Sequence, residues 1–482
     1  MAKSPEQLAR EVIELCTNCD QCRNLLADTP CLFFPKLYRL HDTEKSGKRQ
    51  IGSNELRTLV GLCNMCGLCS CPPIRAKIRE AKDGFTARAG FKPGQRILMD
   101  VRLLGRIGAV FPRLINLLFH TEPLARLLKR LIGIHPERKI PAFPRQPFTA
   151  WAKARGIVVM RPAAGRKVAY FVGCSAQYLF PDIAKATVEV LQRNGVSVFV
   201  PDQVCCGMPR LLEGDRRYAF DAATFNMGQL AKCIDAGYDI VTSCPTCGYM
   251  FKSLLPDGAN YSEGYRAKLA EMLAEEGGNF DKLCQRAQRD EESAVRAING
   301  PPCGKTIVAI KLTLGGLCRD EGYFASLDPH DRMKIARHTF DLGEFLRIMQ
   351  HSQELNGDLG PLPEGMVYYP PCHLKEQEMG YPWRDLLELV PGVSLPTVGG
   401  AFDCCGSAGI RGFQTGFHKA SLAQGKRLME KIRARNPETI VTDCLSCRIQ
   451  FNQALPYPVS HPVEMLNASY RSGGTSGHNG KD

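Results

Sequence analysis

The sequence predicts a mixed α and α/β protein, with a helical N-terminal domain followed by one α/β domain present twice. Three observations carry this. Two Cys-x2-Cys-x2-Cys runs open the chain. A set of five cysteines then recurs nearly in register in the second half. Around both sets, short apolar runs alternate with helical stretches, which is the pattern of a parallel sheet with crossover helices.

Composition sets the frame. The 482 residues suggest about three domains. Hydrophobic residues make up 44% and charged residues 23%, so each domain has enough apolar material for a core of its own. The 22 cysteines are therefore not needed as staples. The N-terminus MAKSPEQLAR is polar and reads as no secretory signal, which points to a reducing, cytoplasmic setting. Clustered cysteines there are metal ligands or redox groups. The net charge of +13 belongs to the chain with neutral thiols. Ligating thiolates remove much of it, so no nucleic-acid partner is expected. No apolar run reaches the length of a transmembrane helix.

The first run is Cys16, Cys19 and Cys22, followed by Cys31. The second is Cys63, Cys66 and Cys69, followed by Cys71 and Pro72. Such a run wraps one face of a cubane, so that three thiolates reach three irons, and in two-cluster ferredoxins the fourth ligand comes from the other motif. Zinc has no use for the third evenly spaced cysteine. The spacing to the fourth cysteine departs from the usual one in both runs. If the ligands exchange, Cys71 completes the first cluster and Cys31 the second.

Between Val101 and Ile140 the chain is basic and amphipathic. Arg102, Arg106 and Arg113 share one helical face, with Leu103, Leu104, Ile107, Val110, Leu114 and Leu117 largely on the others, and Pro112 is expected to kink the helix. This pattern suits an anionic membrane surface, or two helices packed on the rest of the protein or on a partner.

The duplication is read from cysteines. Cys174, Cys205, Cys206, Cys244 and Cys247 form one set. Cys372, Cys404, Cys405, Cys444 and Cys447 form the other. The offsets are 198 (174 to 372), 199 (205 to 404) and 200 (244 to 444). Apolar runs at 167–172, 196–200 and 239–243 in the first half are matched by 366–369 and 439–443 in the second, which places the cysteines at strand ends, where open α/β sheets bind ligands. A glycine after each cysteine pair suits a tight turn. An adjacent pair in extended chain points to opposite sides. Five ligands per set therefore require a turn or an enlarged cluster.

These residues resemble the cysteine-rich CCG domain of heterodisulfide reductase catalytic subunits, of the C subunit of anaerobic glycerol-3-phosphate dehydrogenase, and of iron–sulfur subunits of glycolate and lactate oxidases. The resemblance rests on Gly173-Cys174, Cys205-Cys206-Gly207-Met208-Pro209, Ser243-Cys244-Pro245-Thr246-Cys247-Gly248, Pro371-Cys372-His373-Leu374, Cys404-Cys405-Gly406-Ser407-Ala408-Gly409 and Asp443-Cys444 with Cys447. Gly133–Arg138 is close to what the glycerol-3-phosphate dehydrogenase group carries between its domains. The resemblance implies two [4Fe–4S] cubanes in the first domain and one or two non-cubane [4Fe–4S] clusters in the CCG domains. It implies a helical ferredoxin-like domain (1–90) and two CCG domains (161–257 and 365–467), joined to the first domain by basic amphipathic linker helices (91–160). The sequence departs from the family between the CCG domains, where an acidic helical stretch reads as a longer helical connector (258–364), and the composition of the last residues reads as a disordered tail (468–482).

The sequence shows no dinucleotide-binding or phosphate-binding glycine loop. The expected function is an electron-transfer subunit that relays electrons between a flavoprotein dehydrogenase partner and a quinone or similar acceptor, in the cytoplasm or on the inner face of the cell membrane. The alternative is a catalytic subunit of the heterodisulfide-reductase type, which reduces a disulfide at a non-cubane cluster. His373 and the thiols Cys233, Cys284, Cys303 and Cys318 read as ordinary structural residues.

Overall fold

The computed structural model describes residues 3–473 apart from 27, 28, 68, 70, 163, 266, 268–319 and 321. Cys284, Cys303 and Cys318 lie outside the described residues.

The N-terminal segment is an all-α bundle of helices Pro5–Cys19, Gln21–Leu25, Phe33–Lys45, Ser53–Gly61 and Pro72–Ala89. The first helix starts where the Ser4 hydroxyl accepts from the Gln7 amide at 3.1 Å and the Gln7 side chain accepts from the Ser4 amide at 2.8 Å. It ends at Asp20, in the left-handed region at φ 53°, inside the first cysteine run. Leu8, Val12, Phe33, Leu37, Leu59 and Ile78 close the bundle core.

The first α/β domain holds four parallel strands, β1 (Lys167–Phe171), β2 (Ser197–Phe199), β3 (Asp239–Thr242) and β4 (Thr339–Asp341), in the order β2-β1-β3-β4. The second holds β5 (Met366–Tyr368), β6 (Thr439–Val441) and β7 (Val459–Ser460), in the order β5-β6-β7, all parallel. A parallel bridge from Tyr368 to Thr397 stands where β2 stands in the first sheet. The duplication thus extends to strand order.

Two differences from the sequence reading share a cause. β4 lies inside the segment read as a helical connector, and the helix Pro462–Gly473 runs through positions 468–473, read as the start of a tail. Both belong to the same closing unit, a short strand followed by a helix, once per repeat. Strands of two or three residues carry no periodic signal. Ser469 and Tyr470 sit in a polar-looking stretch, yet both are fully buried. Each closing helix packs on the other repeat: Pro462–Gly473 against Pro181–Arg193, and Leu342–His351 against Pro382–Leu387. One core therefore runs through both halves, with Val188, Leu191, Leu346, Trp383, Leu466 and Tyr470 in one cluster.

The glycines after the cysteine pairs both have positive φ, 92° at Gly207 and 79° at Gly406. Their surroundings differ. A Cβ at Gly406 meets the Ser421 carbonyl oxygen at 2.2 Å, whereas at Gly207 the nearest atom is 3.4 Å away. Gly207→Ala should cost about 1–2 kcal/mol, the backbone penalty alone. Gly406→Ala should cost about 3 kcal/mol or more, because helix His418–Arg435 must move. Thermal melting of the two variants checks this, and equal shifts would refute the packing difference.

Candidate metal centres

In the first repeat, Cys174 rides on the short helix Gly173–Tyr178 that follows β1, Cys205 and Cys206 precede Gly207, and Cys244 follows β3, with Cys247 one turn on. All five meet at the C-terminal edge of the sheet. Cys205 and Cys174 sulfurs are 3.6 Å apart. Sulfur hydrogen bonds continue from Cys205 to Cys206, from Cys206 to Cys247 and from Cys247 to Cys244. Both members of the adjacent pair thus face one pocket, and the turn at Gly207 is what allows it. Gly173 keeps the pocket open, since a Cβ there lies 3.0 Å from the Cys247 sulfur.

The second repeat is built alike. Cys405 and Cys447 sulfurs are 3.1 Å apart, and Cys404 accepts from the Gly406 amide at 3.4 Å. Cys404 hydrogen-bonds Cys405 and Cys444 hydrogen-bonds Cys447, while the charges of Cys405 and Cys444 act on Cys372. In both sets the second cysteine of the pair is lowered, and in the first set hydrogen bonding to Cys247 lowers Cys244 too. The S–H groups of Cys205 and Cys247 bring Cys206 down to about 6. Those of Cys404 and Cys447 hold Cys405 well below the usual thiol range. Hydrogen bonding to Cys205 and burial push Cys174 well above it. No two described cysteines are joined in a disulfide. Five clustered sulfurs at this spacing, some on buried and some on half-buried cysteines, form a donor set suited to a polynuclear cation core.

The N-terminal cysteines fall into two groups that cross the sequence order. Cys16 is pushed up to about 12 by burial and then by its neighbours Cys22, Cys71 and Cys19. Cys31, Cys63, Cys66 and Cys69 line one cavity. The structure thus places Cys71 with the first run and Cys31 with the second. Cys69 and Cys71 are two residues apart, a reach of at most ~7 Å, so the two groups are neighbours. Cys66 in turn lies close enough to Cys404 to raise its pKa.

One residue left out of the sequence-based site joins these loops. His373 is buried and stacks on Tyr249, with ring centroids 4.9 Å apart. Its Nε2 donates to the Met65 carbonyl at 3.1 Å, and its Nδ1 accepts from the Thr246 hydroxyl at 3.0 Å. Burial lowers its pKa, so the ring is neutral and can do both. Arg138 was also missed. It is fully buried, donates to Gln450 at 2.7 Å and lies beside Cys405, with its Nε and Nη2 unpaired. The one signal in the sequence is its place in the stretch Gly133–Arg138; its burial is not written there.

The linker forms helices Val101–Val110, Pro112–His120 and Leu124–Leu131. Pro112 starts a new helix after a break at Phe111 rather than kinking one. The packed face is also not the leucine face. Gly105 and Gly108 are buried against Tyr178 and Phe143, where a Cβ would come within 2.4 and 2.1 Å. Leu103, Ile107, Val110, Leu114 and Leu117 stay exposed beside Arg102, Arg106 and Arg113. No helix among the described residues is long and apolar enough to cross a membrane.

Two parallel sheets, each with a five-cysteine pocket at the same edge, define a protein of two cysteine-rich CCG domains, and the CCG family model matches residues 168–252 and 366–452. The chain is similar to the C subunit of anaerobic glycerol-3-phosphate dehydrogenase from Escherichia coli K12, 22% identical over 372 residues that cover 77% of this chain and 75% of that one. It is 23% identical to the B subunit of fumarate reductase (CoM/CoB) from Methanothermobacter marburgensis over 63% of this chain and 45% of that one. It is 24% identical to lactate utilization protein A of Geobacillus thermodenitrificans over 62% of this chain and 98% of that one. These relatives and the donor sets make this an iron–sulfur, oxidoreductase-related protein.

The crossed grouping has a direct test. If each run holds a [4Fe–4S] cluster, Cys71→Ser should perturb that of the first run and Cys31→Ser that of the second, each lowering iron by up to about four atoms or converting a [4Fe–4S] signal to a three-iron one. EPR of each variant decides. The reverse assignment of signals would refute the exchange.

Proposed function

We propose that this chain is the iron–sulfur electron-transfer subunit of an oxidoreductase complex, relaying electrons between a flavoprotein dehydrogenase partner and a quinone or similar acceptor. The observation that supports it most is the line of four adjoining sulfur groups, from Cys16/Cys19/Cys22/Cys71 through Cys31/Cys63/Cys66/Cys69 to the two CCG sets. In this reading the N-terminal bundle is a ferredoxin-like domain with two [4Fe–4S] cubanes, and each complete CCG set holds a non-cubane [4Fe–4S] cluster. When bound, the clusters supply one-electron redox chemistry. The chain's own part is to hold them in series and balance their charge. Lys82, buried and donating to the Cys63 and Leu212 carbonyls, is lowered to about 8 by burial and serves the second cubane site. Arg138 serves the second CCG set.

A second reading, reduction of a disulfide, draws on the small cavity that touches both Cys174 and Cys444 and so adjoins both CCG sets. Cluster-dependent disulfide turnover without a partner protein would favour it over the relay.

The exposed apolar and cationic helices support a peripheral place on the inner face of the cell membrane, in a protein otherwise facing the cytoplasm. Anaerobically purified protein should carry about sixteen irons with matching acid-labile sulfide. About eight, with ordinary cubane signals alone, would remove the CCG clusters and with them the relay as drawn. Binding to phosphatidylglycerol vesicles should fall at least about tenfold in Leu117→Glu/Leu127→Glu protein and weaken with salt. Sedimentation with vesicles reads this, and unchanged binding would argue for a protein partner on that face.

A further inference from the structure

A predominantly apolar cavity lies between the linker helices and the two CCG domains. Its volume is about 140 Å³. One side is made by Ile97, Leu104 and Phe119 of the linker and by Ile410 and Phe413 of the second CCG domain. The other side is Cys174, a member of the first five-cysteine set. Apolar cavities of this size hold one six-membered ring, as a ~150 Å³ engineered cavity holds benzene.

The polar groups are few and sit together. Ser175, Ser407 and Ser446 each lie within two residues of a cysteine of the two sets and line the cavity. Ser407 is 2% exposed, and its hydroxyl has no hydrogen-bond partner. A buried hydroxyl left unpaired is costly, so this one suits a ligand that brings an acceptor. The linker wall is one helix thick: Leu104 faces the cavity, while Leu103 and Ile107 of the same helix are exposed outside.

We infer that this cavity binds the ring of a lipid-soluble quinone, with the Ser407 hydroxyl donating to a ring carbonyl and the Cys174 edge of the first CCG set against the ring. The inference rests on the relay reading above and names where its acceptor sits. The ring takes two electrons that originate at the reduced flavin of the partner and two protons from water at the mouth, and it leaves as the hydroquinone. A saturated lipid chain has the right polarity but brings no acceptor for Ser407, and a charged or sugar-like ligand would bury polar groups against Ile97, Leu104 and Phe119.

The test uses the anaerobically purified, cluster-loaded full chain and duroquinone, whose fully substituted ring does not add thiols. Equilibrium dialysis should show one saturable site. Leu104→Trp, which fills the cavity, should weaken binding at least about tenfold, and Ser407→Ala about fivefold, with iron content and dithionite reduction of the clusters unchanged in both. Absence of saturable binding, undiminished binding by Leu104→Trp, or displacement by decanol as effective as by unlabelled duroquinone would overturn the assignment. The two readings fail separately. Sixteen irons without duroquinone binding removes the cavity site and leaves the relay. Few irons with Leu104→Trp-sensitive binding keeps the cavity and removes the relay.

Discussion

A single neutral imidazole ties the cysteine loops together. His373 follows Cys372, reaches the Thr246 hydroxyl between Cys244 and Cys247, and reaches the Met65 carbonyl between Cys63 and Cys66. Three cysteine loops from two repeats and the N-terminal bundle therefore share one ring. Protonation would turn Nδ1 into a donor to the Thr246 hydroxyl oxygen, whereas the uncharged ring accepts from it. Burial enforces that state, and the stacking on Tyr249 fixes the ring plane.

Charge is the second constraint. Eighteen cysteines gather in four groups, and thiols this close together, many of them buried or half-buried, cannot all ionise without a cation among them. The first CCG set shows the consequence: Cys206 is lowered while Cys174 and Cys247 are raised. Lys82 and Arg138 are buried with carbonyls or an amide as hydrogen-bond partners rather than carboxylates. A buried cation without a carboxylate bonded to it is costly. Beside a cluster of net negative charge it becomes a counter-charge, which gives these two positions a physical reason that surface lysines and arginines lack.

The linker shows how packing can invert an amphipathic reading. Its helices look apolar on one side and basic on another, so the leucines are the natural candidates for the packed face. Gly105 and Gly108 instead let the backbone approach Tyr178 and Phe143 closely. The leucines are displaced outward, next to the arginines, and Leu104 is left lining a cavity. Close approach through glycine thus produces both the exposed apolar surface and the enclosed space behind it.

The cysteine spacing carried the duplication and the three-cysteine cores of the first domain, and the alternation of apolar runs with helical stretches carried the sheet edges on which the sulfurs sit and the helical or strand character of the long elements. These are local or periodic features, and they are written in the residues that form them. The crossing of Cys31 and Cys71, the burial of Arg138 and Tyr470, the strands β4 and β7, and the role of His373 are not, because each depends on which distant segment arrives beside it. A three-residue strand or a lone histidine has no pattern of its own. Its partner lies up to about three hundred residues away in the chain, as Met65 does from His373, and only packing brings the two together.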